Sequence, residues 1–266
     1  MRFAKYPTLF SLSWQKQLEV RSDFFFERTR SIAVLISLYY LWSALLANRT
    51  DVGGYARGQI LTYVLAMTLL RAWVLACVTD RIPSEIARGK ISELLLRPIS
   101  HVGYWATQDA ANKALNMMSA IVEVGIFALI VRPPIVLPPS PLAWLAFALA
   151  TLGGMALYFE MSYLLGVMGF WTAQSWGPRF CFEIVLEFCA GAYFPVDLLP
   201  PAAQKIIGVL PFPYLIFHPL SIFLGRTPPS GYASVFAHQI VWITALGVLG
   251  RALWRAGLRR YAAEGG

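Results

Sequence analysis

The sequence is poor in charge. Only 14% of its 266 residues are Asp, Glu, Lys or Arg, against about 25% in an average soluble domain. A disordered chain or an ordinary soluble enzyme is thereby excluded. Cysteine is scarce too: Cys77, Cys181 and Cys189 each sit in an apolar run and form no CxxC pair, so a disulfide scaffold or a zinc site is not expected. They read as small packing residues. Residues 1–30 offer no apolar stretch behind the early charges, so no signal peptide is expected. Repeats and low-complexity tracts are also missing. The nearest approach to a phosphate-binding loop, Ser84 to Ile91, lacks the first glycine and the final Ser/Thr. Backbone N–H groups cannot close on a phosphate without those glycines, so the chain has no nucleotide site of its own.

What is abundant is apolar surface. Apolar residues make up 58% of the chain and the mean hydropathy is +0.58. Six spans of about 20 residues would need roughly 120 positions, and the chain can supply them. It reads as an all-α integral membrane protein. Candidate spans run over residues 31–48, 60–78, 112–131, 142–168, 180–194 and 232–254. Residues 206–225 are uncharged for a full span length, but Pro211, Pro213 and Pro219 would break a lipid-facing helix three times. Such backbone survives at membrane depth only where protein or water satisfies its freed groups. This segment is expected to form short re-entrant or surface helices.

With six spans both termini lie on one side. Sixteen of the 22 basic residues then fall on that side, five on the other, and Arg71 within the membrane. The bias places both ends in the cytoplasm. One domain, 1–266, is expected: an interfacial segment 1–30, a six-span bundle 31–254 and a basic cytoplasmic tail 255–266. In the first part, Phe3, Phe10, Trp14 and Leu18 share one helical face opposite Lys5, Lys16 and Glu19, a pattern suited to a helix lying on the leaflet and touching membrane lipid. The excess charge of +8 is spent on topology, so nucleic acid is not an expected partner.

Charges inside spans are informative because each costs roughly 2.5–3.5 kcal/mol to insert. Arg71, Glu123, Glu160, Glu183 and Glu187 are the intramembrane candidates. Arg71 is expected to pair with Glu123 or Glu160. Glu183 and Glu187 share a face at i,i+4, where like charges repel, so they should lie near the cytoplasmic surface or find cationic partners. Ser175, in Ala173-Gln-Ser175-Trp-Gly177, is one residue short of a G-x-S-x-G nucleophile elbow. A serine hydrolase would need a histidine in reach, and His218 and His238 fall nearer the opposite face. An ion-coupled carrier or channel is the other alternative.

The loop after the second span mixes charge with leucine between two prolines. Pro83, Ser84 and Glu85 suit a helix start, Gly89 a break and Pro98 a stop. The stretch Glu85-Ile-x-x-Gly89-Lys-Ile-x-x-Leu94-Leu-x-Arg97-Pro98-Ile-Ser resembles the coupling-helix region of permeases of type-2 ABC exporters. Leu210-Pro-Phe-Pro-Tyr214-Leu with Pro219 and Leu224-Gly225, and Leu253 through Tyr261 to Gly265-Gly266, are similar to the same six-span ABC-2 family transporter proteins.

The resemblance implies a role for each region. Residues Pro83, Ser84, Glu85, Ile86, Arg88, Gly89, Lys90, Ile91, Leu94, Leu95, Arg97 and Pro98 would dock on a separate ATPase subunit. The N-terminal helix would be a membrane-surface elbow. Pro195, Pro200, Pro211, Pro213 and Pro219 would punctuate outer re-entrant helices capping the exit. Two ATPase subunits carrying ATP and Mg, and a second permease of the same or a related chain, would complete an exporter in a bacterial inner membrane. The chain itself would hold no cofactor, no metal and no catalytic residue.

Overall fold

The computed structural model describes residues 5–19, 21–49, 51–96, 99–172 and 176–264. Arg97, Pro98 and Ser175 therefore lie outside the described residues, as do Phe3, Gly265 and Gly266. The described chain is almost wholly helical. Eleven α-helices run in order: α1 Lys5–Glu19, α2 Arg21–Leu45, α3 Arg57–Val74, α4 Ile82–Ala87, α5 Ile91–Leu95, α6 His101–Val131, α7 Pro141–Val167, α8 Trp176–Ala190, α9 Pro201–Val209, α10 Phe217–Phe223 and α11 Pro229–Glu264. An addition to the all-α expectation is a small antiparallel pair, β1 Asp51–Val52 with β2 Tyr55–Ala56. Gly53 and Gly54 turn between them at φ +59° and +75°, a region costly to residues with a Cβ.

Among the described residues, three helices are long and apolar enough to cross a membrane: α6, α7 with its extension to Phe170, and α11. A fourth arises if α3 and the segment 79–87, bent by 44° at the break between them, count as one span. Helix α8 has only 15 residues, about 22 Å of rise against a hydrocarbon core of about 30 Å. Local chemistry explains the ends. Ser100 and Ser140 cap α6 and α7 by accepting from the N–H of Gly103 and Ala143, and Pro141 occupies the first turn of α7.

Several boundaries differ from those expected. Helix α2 starts at Arg21, ten residues before the expected span, and α1 packs against α6. Helix α3 stops at Val74 instead of Val78, because the side chain of Lys113 takes up the carbonyl oxygens of Val74 and Ala76. The basic tail continues α11 to Glu264.

The main core lies where α3 meets α2, α6, α7 and α10; Ile60, Leu61, Tyr63, Val64, Met67 and Leu70 of α3 are buried there. A second core joins Val78, Ile82, Ile86 and Ile91 to Trp105, Tyr163, Val167 and Phe170. The proline-rich segment breaks into short helices: turns at 196–198 and 212–214, with α9 and α10. A backbone group freed by these breaks is met from another helix. Gln239 of α11 donates from Nε2 to the carbonyls of Tyr214 (3.0 Å) and Ala150 (2.7 Å). Gly154 of α7 lets the 214–215 backbone approach so closely that a Cβ would sit 3.0 Å from the Leu215 oxygen.

Candidate functional site

Two features stand at one end of the helix bundle: the loop 79–96 and a cavity beside it. Helix α4 begins as its residues dictate, with Pro83 in the first turn, where its missing N–H costs nothing, and Glu85 close to the helix N-terminus. Gly89 ends it at φ +73°, and α5 follows. The loop is two-sided. Ile82, Pro83, Ile86, Ile91 and Leu94 are buried, whereas Ser84, Arg88, Lys90 and Leu95 are exposed.

The buried side rests on glycines of the α7 end. A Cβ on Gly166 would lie 2.8 Å from the Thr79 oxygen, and one on Gly169 would lie 2.7 Å from the Pro83 Cα. Below these, His101 stacks on Trp254 at 3.6 Å, accepts at Nε2 from the Trp105 indole (3.0 Å) and meets the Tyr163 hydroxyl at Nδ1 (3.0 Å). With Nε2 accepting, Nδ1 carries the proton and donates to Tyr163. The Tyr261 hydroxyl of α11 reaches Ser92 at 3.3 Å. The loop thus sits on a rigid aromatic platform built from α6, α7 and α11.

The cavity, of about 570 Å³, opens among α2, α3 and α8 next to Asp80 and Arg81. Its polar lining explains most of the intramembrane charges. Arg71 donates to Glu187 across α3 and α8 at 2.5 Å, so the expected pairing with Glu123 or Glu160 is corrected. Glu123 is instead held by Arg28 (3.3 Å) and the Ser31 hydroxyl (2.9 Å). Arg28 also donates to Asn116 (2.8 Å). Helix α2 carries Arg28 inside because it starts well before the expected span, which places that guanidinium level with α6. Glu160 points toward α11, where a Cβ on Gly247 would lie 3.5 Å from its carboxylate. Glu183 takes Arg179 at 2.9 Å, so each carboxylate of the i,i+4 pair has its own cation. Tyr193 donates its hydroxyl to the second oxygen of Glu187.

One charged pair escaped the sequence reading. Lys113 and Asp109, on one face of α6, form an ion pair of 2.9 Å with side chains 3% and 5% exposed. The i,i+4 spacing is present in the sequence, but Lys113 stands at the edge of an apolar run, where a cation is equally suited to flank a span. Gln239 was likewise legible only as a lone amide within an apolar run.

At the opposite end, Tyr55 donates to Asp197 (2.8 Å), Arg226 stacks over the Tyr55 ring at 3.6 Å, and Arg226 donates to the Gly54 carbonyl (2.8 Å). This ties the 51–56 hairpin to the segment after Pro195. Pro195, Pro211, Pro213 and Pro219 are buried, and Pro200 is exposed.

The described residues thus form an apolar helical bundle with paired internal charges and a two-sided loop docked at one end. The family described as ABC-2 family transporter protein matches residues 32–265. The chain belongs to that family. Neither a curated protein nor a solved structure matches it. As an ABC-2 family transporter it is a multi-pass membrane permease of an ABC transporter. Membership implies an ABC ATPase as partner and a generally non-catalytic role for the permease.

Proposed function

We propose that this ABC-2 family permease is the six-span subunit of an ATP-driven exporter, with both termini in the cytoplasm of a bacterial inner membrane. The spans are α2, α3, α6, α7, α8 and α11. Two such chains, identical or related, would pair with two ATPase subunits that carry the ATP and Mg. ATP binding closes the ATPase pair, and the movement enters this chain through α4 and α5. Such a shift is limited by the difference in nucleotide affinity between the two states.

The observation that carries the reading is the build of the 79–96 loop within a family-matched chain. Its apolar side is locked to α7 and α11, while Ser84, Arg88, Lys90 and Leu95 face outward with no intramolecular cover. A partner pressing on that face would move α7 and α11 together. The outer helices between Pro195 and Gly225, held by the Tyr55–Asp197–Arg226 latch, would cap the exit.

Purification of the tagged chain from its native membrane in mild detergent tests this directly. A stoichiometric ATPase should co-elute, and a second permease beside it would distinguish a heterodimer from a homodimer. A chain that elutes alone, while other membrane complexes stay whole, contradicts the assignment.

A further inference from the structure

Five arginines line the cavity among α2, α3 and α8: Arg28, Arg30, Arg71, Arg81 and Arg179. Glutamates hold three of them in place, Arg28 through Glu123, Arg71 through Glu187 and Arg179 through Glu183. Each guanidinium presents five N–H donors in a flat fork, and one carboxylate occupies few of them. Arg71 shows the surplus: its Nη2 reaches Glu187, while its Nη1 is buried with no hydrogen-bond partner. A buried donor without an acceptor is costly. The side chains of Arg30 and Arg81, both exposed, enter no hydrogen bond or ion pair among the described residues. The cavity therefore holds more donors than acceptors, in a charge pattern that anchored arginines make rigid.

Beside these arginines the lining carries the carboxylates of Glu27, Asp80, Glu183 and Glu187, and part of its wall is apolar. Val34, Met67, Leu75 and Phe180 line the same space, and Trp176 stacks on Phe180 at 5.4 Å at the rim. A volume of 570 Å³ falls in the range of about 300–1,000 Å³ typical for drug-sized ligands. A small inorganic anion would leave the apolar wall against water.

We propose that this cavity binds the anionic head group of an amphipathic molecule, its carboxylate, phosphate or sulfate among Arg30, Arg71 and Arg81 and its apolar body along Phe180 and Trp176. Planar, bidentate donors favour such oxyanions over neutral acceptors. Treating the bound molecule as cargo rests on the permease reading; the binding itself does not. Two sources share this chemistry, a phospholipid of the bilayer and a molecule in transit.

The test uses the full chain in phosphatidylcholine nanodiscs with a fluorescent dansyl-undecanoate probe and its neutral amide analogue. The carboxylate should bind on the order of tenfold more tightly than the amide. Arg30→Gln with Arg81→Gln should erase most of that preference while leaving amide binding unchanged. Both side chains are exposed, so the variant should fold as the parent does; if it does not, the carboxylate-to-amide ratio on the parent decides. Displacement of the probe by nanodiscs containing phosphatidylglycerol assigns the source to the bilayer, and retention assigns it to a molecule in transit; both outcomes keep the charge preference. Equal binding of carboxylate and amide, or a preference untouched by the double substitution, overturns the proposal. Because the ATPase co-elution experiment is separate, its success alongside equal probe binding would sink the ligand assignment and leave the permease reading standing.

Discussion

Arg71 and Glu187, 116 residues apart in sequence, meet across α3 and α8 through a contact of 2.5 Å, with side chains 17% and 20% exposed. Helix α8 makes few other contacts with the long helices, its buried residues being Leu186 and Ala190. The pair is therefore a principal tie between α8 and the rest of the bundle.

Removing one partner of such a pair costs about 3–5 kcal/mol in buried settings. Arg71→Glu should accordingly lose most of the folded fraction that survives heating in detergent, read by fluorescence-detected size exclusion. Adding Glu187→Arg should restore it in large part, whereas adding Glu123→Arg should not.

Lys113 has two duties, as partner of Asp109 and as donor to the carbonyl oxygens that end α3. Lys113→Met leaves a buried carboxylate unpaired, and its Oδ1 already lacks a hydrogen bond. Loss of about 3 kcal/mol or more is expected. Adding Asp109→Leu should recover part of it. Full recovery is excluded, since the α3 carbonyls remain unmet; thermal unfolding of the two variants measures the difference.

How much of this was written in the sequence depends on the range over which each feature acts. Helices α6, α7 and α11 follow from apolar runs with serine caps and Pro141, all local. The loop helix at Pro83 and its break at Gly89 are local too. Charge pairing is not local. Glu123 drew Arg28 because α2 begins at Arg21, and that start is hidden by Arg21, Asp23, Glu27 and Arg28, charges that suit an interfacial segment. The role of Gly166 and Gly169 was equally hidden, since a glycine in an apolar run says nothing of what approaches it. The Lys113–Asp109 spacing is local, but a cation at the edge of an apolar run is equally compatible with the membrane surface, so spacing alone does not bury it.

Gly169 should tolerate no Cβ. With the Pro83 backbone 2.7 Å from the added atom, Gly169→Ala must displace α4 from α7, at a cost of about 1–3 kcal/mol. Gly125→Ala, with nothing within 4 Å, should be neutral or gain up to about 1 kcal/mol from helix propensity. Paired melting curves of the two variants distinguish a packed glycine from an idle one.

Burial, aided by the nearby His238, lowers the pKa of His218 from the ordinary 6.5 to about 4. The folded chain then binds fewer protons at this site than the unfolded chain between those values. Stability rises with pH wherever the unfolded state holds more protons, so the contribution of His218 is complete above pH 6.5 and falls as pH drops toward 4. Melting temperature should decline between pH 7 and pH 5, and His218→Gln should shrink that decline. An identical pH slope in both proteins would contradict this assignment.

The most direct test of the central claim is site-specific photo-crosslinking in the native membrane. With benzoylphenylalanine placed at Arg88, on the open face of the 79–96 loop, illumination should yield one strong adduct with an ABC ATPase. Ile206, exposed on α9 at the other end of the molecule, should yield none with that protein. Equal ATPase crosslinking from both positions, or none from Arg88 in a membrane where the chain is abundant, would contradict the account.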